Sequence, residues 1–201
     1  MIFMIVGIVG FQGDVQEHVK SLRRAGRSRK LQVRPIRRPE DIDGISGIVI
    51  PGGESTTIYK LLNTYGIYNL IKLECKTGLP VMGTCAGLIL ISKETGDSRV
   101  NGMGILNATV TRNAYGRQKE SFMGEISVDS IGKMVVPFIR APKIINADED
   151  SIIGRYGNEP VILRKGNALG LTFHPELTDD LRIHEMFLDM VEGEGYTSTG
   201  E

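Results

Sequence analysis

Apolar residues follow two rhythms along this chain. Ile5 to Val9 is a short run rich in β-branched side chains, the pattern of a strand buried on both faces. Val15, Val19 and Leu22 then recur at helical spacing within Asp14 to Arg24. Leu31 to Ile36 reads as a second strand, and Gly47 to Ile50 as a third that stops at Pro51-Gly52-Gly53. Ser55, Thr56 and Thr57 are suited to capping a following helix, whose apolar face includes Ile58, Leu61 and Leu62. Leu79 to Met82 predicts a fourth strand, and Ala86 to Ile91 opens another helix. Strands alternating with helices argue an α/β fold with a doubly wound, mostly parallel central sheet flanked by helices.

The texture changes between about Ile105 and Leu163. Short β-like runs at Ile126 to Val128, Met134 to Ile139 and Pro160 to Leu163 sit among glycine and proline turns, which predicts a small antiparallel extension. Ala168 to Phe173 reads as a core strand returning to the sheet, and Leu181 to Val191 as a last amphipathic helix. No internal repeat or low-complexity linker interrupts the chain. Residues 1–201 are therefore expected to form a single domain, with 193–201 a frayed tail.

Composition narrows the function. The 24 basic and 24 acidic residues cancel, so no global field favours nucleic acid or an anionic membrane. A local basic cluster from Arg23 to Arg38, with Arg27, Arg29 and Lys30 inside it, reads as a solvated helix end and loop or as a docking site for an acidic surface. Two cysteines, Cys75 and Cys85, make no disulfide framework and no Cys-x-x-Cys pair, and with three histidines a structural zinc site is not expected. The apolar start lacks a basic leader and a small-residue cleavage site, and no run approaches the roughly 20 apolar residues of a membrane span. A reduced, cytoplasmic enzyme or binding domain is the expectation.

Candidate chemistry concentrates in three places. In LPVMGTCAGLILI a buried strand ends at Gly83-Thr84, Cys85 follows, and Ala86-Gly87 leads into an apolar helix. This is the cysteine form of a nucleophile elbow, and a helix N-terminus favours thiolate. A buried core cysteine is the bland reading of the same residues. Phe173-His174-Pro175-Glu176 closes a predicted strand, so His174 would emerge at the sheet edge where Cys85 stands. A cysteine nucleophile needs a base, and Glu176 would orient that base. Alone, His174 reads as a solvated loop histidine and Glu176 as an ordinary helix-start acid. Third, Pro51-Gly52-Gly53-Glu54 lets the backbone turn N–H groups toward a ligand, so one of the two glycines, paired with the N–H of Ala86, is a candidate oxyanion donor. A phosphate cradle is a weaker reading, because the Walker spacing and its lysine are absent.

Together these motifs resemble the triad-type, class I glutamine amidotransferases. The resemblance is most specific to the PdxT family, the glutaminase subunits of pyridoxal 5′-phosphate synthase. It is carried by GFQGDVQEH, PGGESTT, GTCAGLIL, RNAYGRQ (Arg112 to Gln118), FIRAP (Phe138 to Pro142) and FHPELT, which span Phe11 to Thr178. The resemblance implies a flavodoxin-like fold and glutamine hydrolysis through a cysteinyl thioester, with no metal and no cofactor. It makes Cys85, His174 and Glu176 the catalytic triad. It places Gly52, Gly53, Glu54, Arg112, Ile139 and Arg140 around L-glutamine and makes Gly53 the oxyanion donor, while Gln12, at the first strand's carboxyl end, is a candidate neighbour. It also implies a PdxS partner, a (β/α)8-barrel synthase that uses the ammonia. Tyr115 departs from a usual phenylalanine, and Met123-Gly124 from an acidic residue and alanine. Other class I glutaminases, a non-catalytic assembly subunit and a cysteine hydrolase of similar fold are the competing readings.

Overall fold

The computed structural model describes residues 3–112 and 121–193. The chain enters through β1 (Met4–Val9), buried along nearly its whole length, and continues into α1 (Val15–Ala25). β2 (Leu31–Ile36) and β3 (Gly47–Ile50) match the expected bounds. α2 (Ser55–Thr64) and α3 (Tyr68–Lys76) precede β4 (Val81–Thr84), and α4 (Ala86–Ile91) follows it. Then come β5 (Ser92–Glu94), β6 (Leu106–Thr111), β7 (Ser121–Val128), β8 (Gly132–Ile139), β9 (Lys143–Ala147), β10 (Ile152–Tyr156), β11 (Glu159–Lys165) and β12 (Ala168–Leu171). α5 (Arg182–Glu192) closes the described chain, ended by Gly193 in the left-handed conformation at φ 76.

Among the described residues, nine strands form one sheet in the order β2-β1-β3-β4-β12-β11-β10-β7-β8. The first five run parallel, and each pairing from β12 to β8 is antiparallel. The expected extension is thus almost half of the main sheet, and a second sheet, β5-β6-β9, accompanies it. Two apolar cores cover the main sheet. One packs α2, α3 and α4 against it, and the other packs α1 and α5. Among the described residues no helix is long and apolar enough to cross a membrane.

Several sequence expectations need correction. The fourth strand begins at Val81 rather than Leu79, because Pro80 has no N–H for the ladder and the Leu79 N–H bonds back to Glu74 in α3. The helix after Pro51-Gly52-Gly53 is not capped by a hydroxyl. Glu54 is its N-cap residue, Ser55 Oγ is buried without a partner among the described residues, and Thr56 Oγ1 donates to Glu54 Oε1 at 3.0 Å. The basic cluster also has an intramolecular use, since Arg29 pairs with Asp189 and, at 2.8 Å, with Glu192 of α5. Gly124 has a packing reason: a Cβ there would lie 2.8 Å from Phe138 and 2.9 Å from Tyr156, inside the Phe122–Phe138–Tyr156 cluster. Tyr115, the rest of RNAYGRQ after Arg112, and the tail after Gly193 lie outside the described residues.

Candidate active site

Because the five parallel strands share one direction, the segments leaving β1, β3, β4 and β12 meet at one edge. There Gln12, Gly52, Cys85 and His174 converge, and a cleft of about 260 Å³ opens. Its lining includes Gln12, Asp14, Gly53, Glu54, Cys85, Ala86, Arg112, Ile139, Arg140 and His174.

The elbow depends on two close approaches. A Cβ on Gly87 would lie 2.0 Å from the Ile50 carbonyl oxygen, and one on Gly83 2.6 Å from the Gly87 carbonyl carbon. Only glycine at both positions lets α4 start this close to β3 and β4. Cys85 sits between them at φ 49, ψ −102, a strained conformation for a residue with a side chain. Its N–H bonds to the Leu171 carbonyl oxygen at 2.8 Å, which fixes the elbow to β12, and its thiol lies 4.0 Å from the Ile139 carbonyl oxygen.

His174 follows β12 and is held from both ends. Its N–H donates to the Pro137 carbonyl oxygen at 3.1 Å, and Nδ1 lies 2.8 Å from Glu176 Oε1. Nδ1 is also 3.2 Å from Asp14 Oδ2. With Nδ1 turned to the carboxylates, Nε2 remains for the Cys85 thiol, which is within hydrogen-bonding reach of the ring. Burial opposes charge on His174. Hydrogen bonds to Asp14, Cys85 and Glu176 outweigh that burial and push its pKa up to about 12. The ring is therefore an imidazolium beside the sulfur. Asp14, His174 and Glu176 also offer ligand atoms within 4.8 Å of one another, the spacing of a cation site. The imidazole hydrogen bonds already account for that grouping.

The glycine-rich loop after β3 packs against this pair. Gly52 lies under the imidazole, and a Cβ on it would be 2.4 Å from His174 Cε1. Gly53 takes φ 147, and the next N–H, of Glu54, donates to Gln12 Oε1 at 2.9 Å. Arg112 bridges Glu54 and Asp97, the latter at 2.9 Å. Hydrogen bonds from Arg99 and Arg112 hold the Asp97 carboxyl well below the usual range. Arg140 takes φ 43 and has no ion pair among the described residues.

Sequence reasoning did not find four further residues. Asp14 reaches the base, and behind Glu176 lies a buried line of His18, Thr84 and His184. The one available signal was His18 on the same helical stripe as Leu22 and Ala25.

A thiol at an elbow, an imidazolium beside it and a carboxylate behind it, at the edge of this mixed sheet, define the cysteine-triad glutamine amidotransferase class. A crystal structure of a glutamine amidotransferase superposes with a TM-score of 0.86 at 39% identity, covering 93% of this chain and 98% of that one. The chain belongs to the SNO glutamine amidotransferase family, which residues 8–193 match. It is 54% identical over 197 residues to pyridoxal 5′-phosphate synthase subunit PdxT of Thermoplasma volcanium, covering 98% of each chain. The subunit of the same name from Thermoplasma acidophilum is 49% identical, again with 98% of each chain covered. PurLQS of Thermotoga maritima shares the fold at a TM-score of 0.68 and 16% identity.

Proposed function

We propose that this chain hydrolyses L-glutamine to L-glutamate and ammonia through a thioester on Cys85. The ammonia passes to a PdxS-type (β/α)8-barrel synthase subunit for pyridoxal 5′-phosphate synthesis. The observation that carries the reading is the line from Cys85 through His174 to Glu176, opening on a small cleft. The relatives named as synthase subunits supply its setting. A cleft of about 260 Å³ suits an amino acid better than the extended groove a peptidase needs.

In this reaction the thiolate attacks the amide carbonyl carbon, and the carbonyl electron pair moves onto oxygen. Backbone N–H groups of Gly53 and Ala86, both at the cleft wall, are the proposed donors to that oxyanion. His174 gives its proton to the departing nitrogen, ammonia leaves, and the thioester remains. Water then attacks the thioester while His174 takes its proton, and glutamate leaves as the Cys85 thiolate returns. Glu54, Ile139 and the two arginines are proposed to hold the amino-acid end of glutamine. Arg112 already serves Glu54 and Asp97, so Arg140 is the less committed partner for the α-carboxylate.

Glutamate release by the chain with and without its cognate synthase tests the assignment. Gly53 is conformationally permissive, and one oxyanion donor is worth roughly 10²–10³ in turnover. Docking that fixes this loop should therefore raise turnover by about that factor. Full activity in the isolated chain, unchanged by synthase, would defeat the coupling, and no glutamate under either condition would defeat the function.

Gly52→Ala gives a separate check on the geometry. Its methyl group would occupy space held by the imidazole, and a displacement of about 1 Å in a catalytic group costs on the order of 10²-fold. Turnover should fall by roughly that factor while the protein stays folded. Wild-type turnover would show that His174 does not lie where this account needs it.

A further inference from the structure

We propose that His18 is a positioning residue, whose Nε2–H binds the rear oxygen of Glu176 and thereby fixes the carboxylate that orients His174. This rests on the glutaminase reading above. Glu176 is 5% exposed, and while Oε1 faces His174, Oε2 is buried with no hydrogen bond among the described residues. His18 Nε2 stands 3.4 Å from that Oε2, within ion-pair distance, and both side chains are fully buried. An unsatisfied buried carboxylate oxygen is costly, and of the two His18 ring nitrogens it is Nε2 that approaches it, beside its 3.1 Å contact with Thr84 Oγ1.

The remaining contacts decide which nitrogen of His18 carries the proton. Burial, with the nearby His184 and His174, keeps the His18 pKa well below its usual value, so the ring is neutral and carries one proton. Its Nδ1 lies 3.3 Å from His184 Nε2, and its Nε2 3.1 Å from Thr84 Oγ1. With the proton on Nε2, His18 donates toward Glu176, and Nδ1 accepts from His184 Nε2–H. His184 is also neutral, its pKa lowered to about 4 by burial, and its bare Nδ1 has no partner among the described residues. The opposite tautomers would set a bare His18 Nε2 against Glu176 Oε2 and bury an unpaired N–H on His184. The first arrangement gives the Glu176 carboxylate a donor at each oxygen, His18 at Oε2 and His174 at Oε1, and turns the Thr84 hydroxyl proton away from His18 Nε2.

The groups facing Glu176 are His18 from α1, His174 on its own segment, and Asp14 near His174. Burial raises the Glu176 pKa, and a donor on Oε2 opposes that by favouring the ionised form. Loss of the donor should make Glu176 easier to protonate. The acid limb of the turnover profile would then move to higher pH.

The test is glutamate release by the synthase complex across pH for wild type, His18→Leu, His18→Gln and His18→Asn, with folding checked by thermal melting. Gln places an N–H near the Nε2 position, whereas Asn reaches only the Nδ1 position. The expected result is a kcat about 10-fold or more lower in the Leu and Asn variants, the size of one hydrogen bond to a charged group. KM should be little changed and the acid limb displaced upward, with both effects largely restored in His18→Gln. In a Glu176→Gln background, His18→Leu should add almost nothing to the kcat defect. Equal impairment of the Gln, Asn and Leu variants, or full additivity with Glu176→Gln, would overturn the role. If His18→Leu fails to fold, the Gln against Asn comparison decides alone. An inactive wild type would instead count against the glutaminase reading itself.

Discussion

Cys85→Ala is expected to bring glutamate release down to background, a loss on the order of 10⁴-fold or more, with thermal stability close to wild type. Alanine fits the elbow because it meets the same φ 49 strain as cysteine and removes only the sulfur from the cleft wall. Cys75→Ala should leave turnover nearly unchanged. Cys75 lies on the buried face of α3, and burial pushes its thiol up to about 12, so at neutral pH it is an unreactive thiol. An electrophilic glutamine analogue should accordingly label Cys85 and spare Cys75. Comparable turnover by wild type and Cys85→Ala, with synthase present, would remove the nucleophile from this account.

His174→Asn carries the second largest effect, a fall of roughly 10³–10⁴-fold, because one ring serves three purposes. In the proposed mechanism it holds positive charge beside the sulfur, protonates the leaving nitrogen and activates the water that opens the thioester. With its pKa pushed up to about 12, His174 stays charged throughout the neutral range. Removing the ring therefore withdraws a cation from the sulfur at every pH of interest. Alkylation of Cys85 at neutral pH should slow in parallel with turnover. Glu176→Gln should cost less, since that side chain orients the ring at 2.8 Å and transfers no proton itself. A His174→Asn variant with wild-type turnover would place the base elsewhere.

The parts of this protein that chemistry dictates locally were legible in its sequence. The elbow needs glycine at 83 and 87 around a nucleophile, and steric limits of 2.6 and 2.0 Å enforce both. His174 and Glu176 are two residues apart, so one short motif reveals their relation. Four of the parallel strands, β1, β3, β4 and β12, were legible because they are buried on both faces, and the half-buried edge strand β2 because it is rich in apolar residues. β9 was not, since only Ile144 among its five residues is buried and the rest lack a clean alternation. α3 was missed although Tyr68, Ile71 and Cys75 mark its buried face, because the pattern is short and polar residues crowd it. The line behind Glu176 is different in kind. His18 and His184 are 166 residues apart and meet only when α1 packs on α5. No local pattern encodes that meeting. Arg112 shows the converse, a residue named by its motif whose two ion pairs to Glu54 and Asp97 only the folded chain reveals.

The central claim is that a thioester on Cys85 carries the reaction. Its most direct test is to quench the synthase complex with acid during glutamine turnover and examine the intact chain and its peptides by mass spectrometry. The predicted result is one γ-glutamyl group on the peptide containing Cys85, absent without glutamine and absent in Cys85→Ala. Continued glutamate release with Cys85 unmodified, or with the group found on Cys75 instead, would contradict it.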